Sequence, residues 1–259
     1  MTPVRTAGQE AKLALADLRV TRGGMEALRG ITFTLPAATS LSVIGGAGSG
    51  KSVLLRAMCR MLDLDREWHV SGSVKVDGEE ILGDGIDVAR VRRRLGLVFS
   101  QPAVLPMSVF ENVVFGLRAM GVREQHALEE AYERSMRRVM LWEQLGRQPA
   151  KQPGDLSAEV RQRLCIARAI ALEPEALLLD EPCAALDPVA TQTLEDMLSR
   201  LRRECTLVLA TNNLQQAARL SDVTCYLERG DVVEIGDTPA LFSRPSDVRT
   251  EDFLAGRVS

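Results

Sequence analysis

A glycine-rich stretch near the start of the chain constrains its fold more than any other feature of the sequence. The string GGAGSGKS, Gly45 to Ser52, follows the apolar run LSVI and precedes the apolar, helix-favouring run VLLRAMCRML. A strand, a tight turn and a helix start in this order surround an anion with backbone N–H groups, because glycine lets the backbone come close. The pattern predicts a phosphate-binding loop and a site for a nucleoside triphosphate.

Each residue of this loop has a predicted place in the site. Lys51 supplies a point charge to the outer phosphates, and the Ser52 hydroxyl is a predicted ligand for Mg²⁺. The positive end of the following helix adds to the attraction. The residues predicted to bind the nucleotide here are Gly45, Gly46, Ala47, Gly48, Ser49, Gly50, Lys51, Ser52 and Val53.

Two adjacent carboxylates further along the chain form a second motif. Asp180 and Glu181 follow the apolar run ALLL, so they end a buried strand at the edge where open α/β sheets bind ligands. Asp180 is predicted to hold Mg²⁺ through water. Glu181 is the predicted catalytic residue, which polarises the water that attacks the γ-phosphate of ATP, because phosphoryl transfer needs positioning and charge stabilisation.

Composition limits the classes of protein to which the chain can belong. Its 259 residues, 46% of them hydrophobic, can bury the core of one large domain. A net charge of −3 and the lack of a basic tail argue against a nucleic-acid partner. The five cysteines show no CxxC spacing, so neither a zinc site nor a disulfide framework is predicted. No apolar run approaches the roughly 20 residues that span a bilayer.

The order of the sequence patterns predicts an α/β fold with a helical insertion. Residues 1–12 are polar and form a predicted flexible leader, followed by a single domain over residues 13–259. LALADLRV and ALRGITFTL predict two antiparallel strands, and residues from about 102 to 160 have the apolar spacing of helices. In that segment, SVFENVVFGLRAM and REQHALEEAYERSMRRVMLWEQL each predict a helix. The final hairpin, VTCYLERGDVVEIG, is predicted to turn at Gly230-Asp231.

The motifs resemble, in their order, those of the ATP-binding cassette (ABC) ATPases. The phosphate loop, LSAEVRQRLCIARA, LLLDEP and AALDP carry the resemblance, which covers almost the whole chain. The strings LWEQL, DEPCAALDP, NNLQQAARLSD and RTEDFLAGR are similar to those of the ATPase subunit of the bacterial Pst phosphate importer. The resemblance implies a P-loop NTPase (RecA-like) core with an antiparallel β subdomain and an inserted helical subdomain.

The resemblance also implies cofactors, partners and a location. It implies a cytoplasmic subunit, peripheral on the inner face of the cell membrane, that pairs head to tail with a second ABC ATPase subunit and sandwiches two ATP molecules with Mg²⁺. Two transmembrane permease subunits are expected to dock on the helical insertion, and a substrate-binding protein is an indirect partner.

The sequence departs from the family at the turn that should complete the sandwich. The family signature LSGGQ reads LSAEV, which keeps Ser157 but has Ala158, Glu159 and Val160. In the family this turn meets the γ-phosphate of the opposite subunit. Two like charges about 4 Å apart interact by about 4 kcal/mol at an effective dielectric near 20, so Glu159 is expected to weaken closure unless it rotates into solvent.

Three further positions depart from the family pattern. Asn212 stands at the switch histidine and has no charged form, although its amide can still donate a hydrogen bond to phosphate. Ser100 replaces a glutamine, and Gln101 comes one step later, where an extended segment reverses the side-chain direction. Arg22 stands where an aromatic ring would stack on adenine, and a guanidinium can also stack on a base.

Two functions stay open at this point. The first is the ATPase motor of a phosphate importer, favoured by the complete set of Lys51, Ser52, Asp180 and Glu181. The second is a catalytically weak Pst-like paralogue that binds ATP as a regulatory or structural subunit, favoured by the departures at the sandwich positions. Both a homodimer and a heterodimer are compatible with the sequence.

Overall fold

The computed structural model describes residues 11–257. The strands of this part of the chain form two β-sheets. The smaller sheet has four antiparallel strands in the order β2-β1-β4-β5, and the larger sheet has six strands in the order β10-β9-β3-β8-β7-β6. The strands are β1 (Ala11–Arg22), β2 (Met25–Pro36), β3 (Ser40–Ile44), β4 (Trp68–Val76), β5 (Glu79–Glu80), β6 (Leu95–Val98), β7 (Ala176–Asp180), β8 (Thr206–Thr211), β9 (Val223–Glu228) and β10 (Asp231–Asp237).

Nine α-helices connect and cover these strands within the described residues. None of the described helices is long and apolar enough to cross a membrane. The helices are α1 (Lys51–Met58), α2 (Val88–Arg94), α3 (Val109–Ala119), α4 (Gln125–Arg138), α5 (Ala158–Ile170), α6 (Pro188–Leu201), α7 (Leu214–Leu220), α8 (Thr238–Ser243) and α9 (Val248–Leu254).

The smaller sheet confirms the predicted antiparallel pair at the start of the chain. Arg22 pairs with Met25, which leaves Gly23 and Gly24 as a two-residue turn in which both residues have positive φ. Such a turn matches the twist of the two strands it joins, and glycine adopts it without steric cost. The leader predicted over residues 1–12 lies outside the described residues except for Ala11 and Lys12, which begin β1.

The larger sheet brings distant motifs to a common edge. Strands β3, β8, β7 and β6 pair in parallel in that order, and β3, β7 and β8 are buried along their whole length, as their apolar sequences predict. The carboxyl ends of parallel strands lie at one edge of a sheet. The segments that follow β3, β8 and β7 therefore meet there, although they are far apart in the sequence.

Two main hydrophobic cores lie on opposite faces of the larger sheet. Alternate residues of β7 point to opposite faces, so that Leu178 packs with α1 and the smaller sheet, whereas Leu177 and Leu179 pack with α3, α4, α5 and α6. All five cysteines are free, and burial raises the pKa of the Cys225 thiol to about 12. The larger sheet is thus covered on both faces.

The helical segment differs from the prediction in one respect. A single helix was expected over REQHALEEAYERSMRRVMLWEQL, but α4 ends at Arg138, and a π-helical turn follows at Trp142–Gly146. Met140 has a left-handed backbone with φ 58°, and the Arg163 guanidinium donates to its carbonyl oxygen at 3.0 Å. The apolar spacing of a helix continues through this point, but the contact with Arg163 favours a break.

The last hairpin also differs slightly from the prediction, which placed its turn at Gly230-Asp231. Asp231 pairs with Glu228, so the turn residues are Arg229 and Gly230, with φ 48° and 84°. A two-residue turn of this type needs positive φ at both positions. The difference of one residue matters because it places Arg229, a charged side chain, at the tip.

Candidate active site

The predicted phosphate loop connects β3 to α1 and has the backbone that its glycines allow. Gly45, Gly48 and Gly50 have φ of 154°, 73° and 107°, and Gly50 is the residue immediately before α1. A Cβ atom at Gly45 would clash with the carbonyl oxygen of Leu227, so no larger residue fits there. The loop therefore leads into the N-terminus of α1. The first N–H groups of a helix have no partner within the helix and can bind an anion.

Lys51 folds back into this loop. Its side chain is only 5% exposed, and its Nζ donates to the carbonyl oxygens of Gly45 at 2.8 Å and Gly46 at 2.9 Å. The Glu181 Oε1 atom lies 3.7 Å from the same nitrogen. Burial lowers the pKa of Lys51, and the charges of Glu181 and Asp180 oppose this effect. A buried cation thus lies where the phosphates of a nucleotide would need it.

Ser52 and Asp180, the two predicted Mg²⁺ ligands, are in direct contact. The Ser52 hydroxyl donates to Asp180 Oδ1 at 2.7 Å, although 128 positions separate the two residues. The Asp180 side chain is 5% exposed, and Arg56 Nη2 lies 3.9 Å from its Oδ2. The pair presents two oxygen ligands beside the lysine, which is the donor type that Mg²⁺ prefers.

Glu181 shares this cleft because of an unusual backbone. Successive side chains of an extended strand point to opposite faces, so Asp180 and Glu181 could not both face Lys51 if β7 simply continued. Glu181 has φ 44°, and its N–H donates to the carbonyl oxygen of Ala210 at 2.9 Å. A left-handed backbone is rare for residues other than glycine and is concentrated at functional sites. Here it turns the second carboxylate toward the lysine.

The cleft around these groups has a volume of about 660 Å³. Its lining combines the predicted loop and carboxylates with residues that the motifs did not indicate. Gly230 N donates to Ser49 O at 2.9 Å, and Arg29 N donates to Gly230 O at 2.8 Å, which brings β2 and the β9–β10 turn to the loop. The cleft is lined by Glu26, Ala27, Arg29, Ala47, Gly48, Ser49, Gly50, Lys51, Ser52, Val53, Arg56, Ser100, Asp180, Glu181 and Arg229.

Several residues from the sequence prediction lie outside the cleft lining, among them Gly45 and Gly46, whose carbonyl oxygens accept hydrogen bonds from Lys51. The Arg22 guanidinium, predicted to stack on the base, lies 5.2 Å from the centre of the Trp68 ring and pairs with Asp65 and Glu67. Gln101 lines a separate groove, whereas its neighbour Ser100 lines the cleft. The side-chain reversal expected at this step is therefore present, and Gln101 does not stand in for the glutamine of the family.

The signature turn and the switch position lie apart from the cleft in the single chain. Ser157 precedes α5, and its Oγ accepts a hydrogen bond from Val160 N at 3.3 Å. It lines a cavity of about 300 Å³ beside Asp187, which accepts hydrogen bonds at the start of α6. Asn212 is exposed just after β8, at the same sheet edge as the carboxylates.

Glu159 has an arrangement that the sequence did not predict. Two orientations were expected, one toward the approaching phosphate and one into solvent. Instead, its side chain is 12% exposed and forms an ion pair with Arg163, one helical turn further along α5. The single chain therefore shows neither expected orientation, because the nearby guanidinium offers a stronger partner than water does at this partly enclosed position.

Comparisons with known proteins find relatives along almost the whole chain. Residues 28–184 match the family model described as ABC transporter. The protein named phosphate import ATP-binding protein PstB 1 of Yersinia pestis bv. Antiqua is 44% identical over 249 residues, which are 96% of this chain and 92% of the relative. The PstB protein of Colwellia psychrerythraea is 42% identical, over 96% of this chain and 89% of its own.

A solved structure supports the fold. The structure of cbiO1 from Clostridium perfringens, described as part of the ABC transporter complex cbiONQ, matches with a TM-score of 0.81. The match covers 96% of this chain and 97% of the other, at 24% identity, and so shows the fold alone. The family model spans more than half of the chain, and the relatives exceed 40% identity over nearly all of it. The chain therefore belongs to the ABC transporter family.

Proposed function

We propose that the chain is the ATP-binding subunit of an importer for inorganic phosphate and that it couples ATP binding and hydrolysis to transport. The cleft formed by Lys51, Ser52, Asp180 and Glu181 carries this proposal, because a cation, a hydroxyl and two carboxylates converge beside a phosphate-binding loop. The phosphate cargo rests on the printed names of the relatives.

The donor set fits Mg²⁺ as the second cofactor. Ser52 Oγ and Asp180 Oδ1 are 2.7 Å apart and lie beside the phosphate loop. Residues 11–257 contain no cluster of three or more His, Cys, Asp or Glu side chains that could hold a metal ion. Mg²⁺ commonly binds through one or two protein oxygens together with phosphate oxygens and water. When bound, it neutralises charge on the phosphates, and Ser52 and Asp180 are the residues that would hold it.

The side chains of the cleft then have distinct roles in hydrolysis. The loop N–H groups and Lys51 bind the β- and γ-phosphates. A phosphate oxygen is a stronger partner for Lys51 than the backbone carbonyls are, because the hydrogen bond gains a second charge. Lys51 therefore exchanges these carbonyls for the phosphates, and the Glu181 carboxylate accepts a hydrogen bond from the attacking water and orients it.

A second candidate function is a Pst-like paralogue that binds ATP but hydrolyses it slowly. The position of Asn212 favours it, because this exposed amide stands at the sheet edge where the family has a histidine that can be charged. We expect ATP affinity to depend little on Asn212, which was predicted to contact the nucleotide but does not line the cleft of the single chain. The two candidates therefore differ in turnover rather than in affinity.

The partners that we propose are two permease subunits, a second ABC ATPase subunit and, indirectly, a substrate-binding protein. The permeases would hold this subunit on the inner face of the cell membrane. Residues 102–160 contain α3 and α4, and a groove of about 350 Å³ runs between α3, α5 and the end of β6. Phe115 lines this groove and is 46% exposed, and Met120 at the end of α3 is 49% exposed. The groove and these exposed apolar side chains are the features that support docking of the permeases on this segment.

Binding to the permeases should therefore depend on Phe115. In membranes that contain the co-expressed permeases, we expect Phe115→Asp to reduce the bound chain roughly tenfold, because a charge would be buried in an apolar contact. Val248→Asp is the matched control, since Val248 is 66% exposed but lies on α9, outside the groove. Flotation of the chain with liposomes in the absence of permeases, as efficient as with them, would contradict the docking proposal.

A further inference from the structure

Arg163 is a buried guanidinium that joins three segments of the helical region. Its side chain is 6% exposed, and its Nη1 atom donates to the carbonyl oxygens of Val139 at 3.4 Å and Met140 at 3.0 Å. Its Nη2 atom donates to Gln144 Oε1 at 3.4 Å, and its Nε atom pairs with Glu159. The residue therefore ties the end of α4 and the π-helical turn to the first turns of α5.

Charge balance explains why Glu159 takes part in this junction. The other partners of Arg163 are neutral carbonyl and amide oxygens, and a buried cation without a counter-charge is costly. Among the ion pairs of residues 11–257, Glu159 is the one acidic partner of Arg163. The two residues are four positions apart on α5, where side chains lie on the same face of the helix. Glu159 thus supplies a charge that a glycine in its place could not.

The alternative partner for Glu159 is the end of its own helix. The first N–H groups of a helix have no partner within the helix, and they attract negative charge. Ser157 Oγ accepts from Val160 N, but Glu159 lies in the same first turn and could turn toward the remaining donors if Arg163 were absent. Under the proposed function, those donors face the nucleotide of the second subunit. A carboxylate there would repel the γ-phosphate.

We propose that Arg163 is a positioning residue that holds the Glu159 carboxylate off the signature turn, so that LSAEV remains compatible with closure of the composite site. The inference rests on the proposed function. Glu159, which stands where the family has glycine, then serves an internal ion pair and is not itself a cause of lost activity. Arg163 acts through Glu159 and does not itself touch the nucleotide.

Turnover of the complex with its permeases tests this role through rescue. Arg163→Gln should lower kcat at least roughly tenfold with little change in the KM for ATP, because closure is impaired and the phosphate loop is intact. Glu159→Gln is the second substitution of the double variant, because it removes the carboxylate and leaves the shape of the side chain nearly unchanged. The double variant should recover to within about threefold, since the carboxylate that Arg163 restrains is gone. Arg163→Lys, which keeps the charge but loses the planar fork, should lie between wild type and Arg163→Gln.

Two results would overturn the inference. A double variant as slow as Arg163→Gln alone would mean that Arg163 acts only through the carbonyls of Val139 and Met140. The second measurement is urea unfolding of the isolated chain with each substitution alone and with both. We expect the effect of the double variant on the unfolding constant to differ at least roughly fivefold from the product of the two single effects. If the two effects on the free energy of unfolding simply add, Arg163 and Glu159 do not form the pair. A wild-type complex that binds no ATP would instead defeat the proposed function, and the unfolding cycle would still decide whether the pair exists.

Discussion

Replacement of Lys51 by alanine is expected to lower the affinity of the chain for Mg-ATP by at least roughly 100-fold. A hydrogen bond to a charged group contributes about 1.5–3 kcal/mol, and the upper end of this range corresponds to roughly two orders of magnitude in Kd. The upper end applies here because the Lys51 side chain is only 5% exposed, so solvent screens its charge poorly. Equilibrium dialysis or calorimetry with the isolated chain measures the loss.

Glu181→Gln is the matched control for this substitution. It removes a charge 3.7 Å from Lys51 Nζ but leaves the phosphate loop and the contact between Ser52 and Asp180 in place. We expect its affinity for Mg-ATP to stay within about threefold of wild type, while its turnover falls by a factor on the order of 10² or more. Equal affinities for wild type and Lys51→Ala would show that the loop does not bind the triphosphate.

Turnover of the wild-type chain is expected to be roughly 10² to 10³ below that of a phosphate-import ATPase with the full family pattern. Loss of one preorganised donor to a developing charge has an effect of this size. Asn212 is the main cause, because its exposed amide cannot become a cation. Ala158 adds a Cβ atom at the turn that should approach the second nucleotide. Effects of residues that act as a unit are not additive, so one factor is expected rather than a product of several.

Asn212→His combined with Ala158→Gly should raise turnover at least roughly tenfold and leave ATP affinity nearly unchanged. Val160 is left in place, because it is 5% exposed and packs in the core, where a glutamine would bury an amide. Gln215→His is the control, since Gln215 is also exposed but lies within α7 and not directly after β8.

Initial rates of phosphate release in the presence of the permeases are the measurement for this pair of substitutions. A wild-type chain that already hydrolyses ATP at several per second would show that Asn212 and LSAEV form a working site. A double variant no faster than wild type would place the defect elsewhere. Ser100, which lines the cleft at the position of the missing glutamine, would then be the next residue to replace.

The sequence by itself determined the fold class, the phosphate loop and the two carboxylates. The reason is that these features are local: a run of apolar residues predicts a buried strand, and glycines directly after it predict a turn at a helix start. Parallel pairing then follows from alternating strands and helices, and it brings Ser52 and Asp180 together across 128 positions. No contact between distant side chains had to be known in advance.

The tertiary structure alone decided which other groups reach the site. Arg29 and Arg229 line the cleft because β2 and the last hairpin pack against the phosphate loop. The Arg22 guanidinium instead lies over the ring of Trp68. The direction of the Glu159 side chain depends on Arg163, whose own position depends on where α4 ends. In each case, groups from separate segments are possible partners for the same side chain. Which of them it contacts depends on distances that exist only in the folded chain.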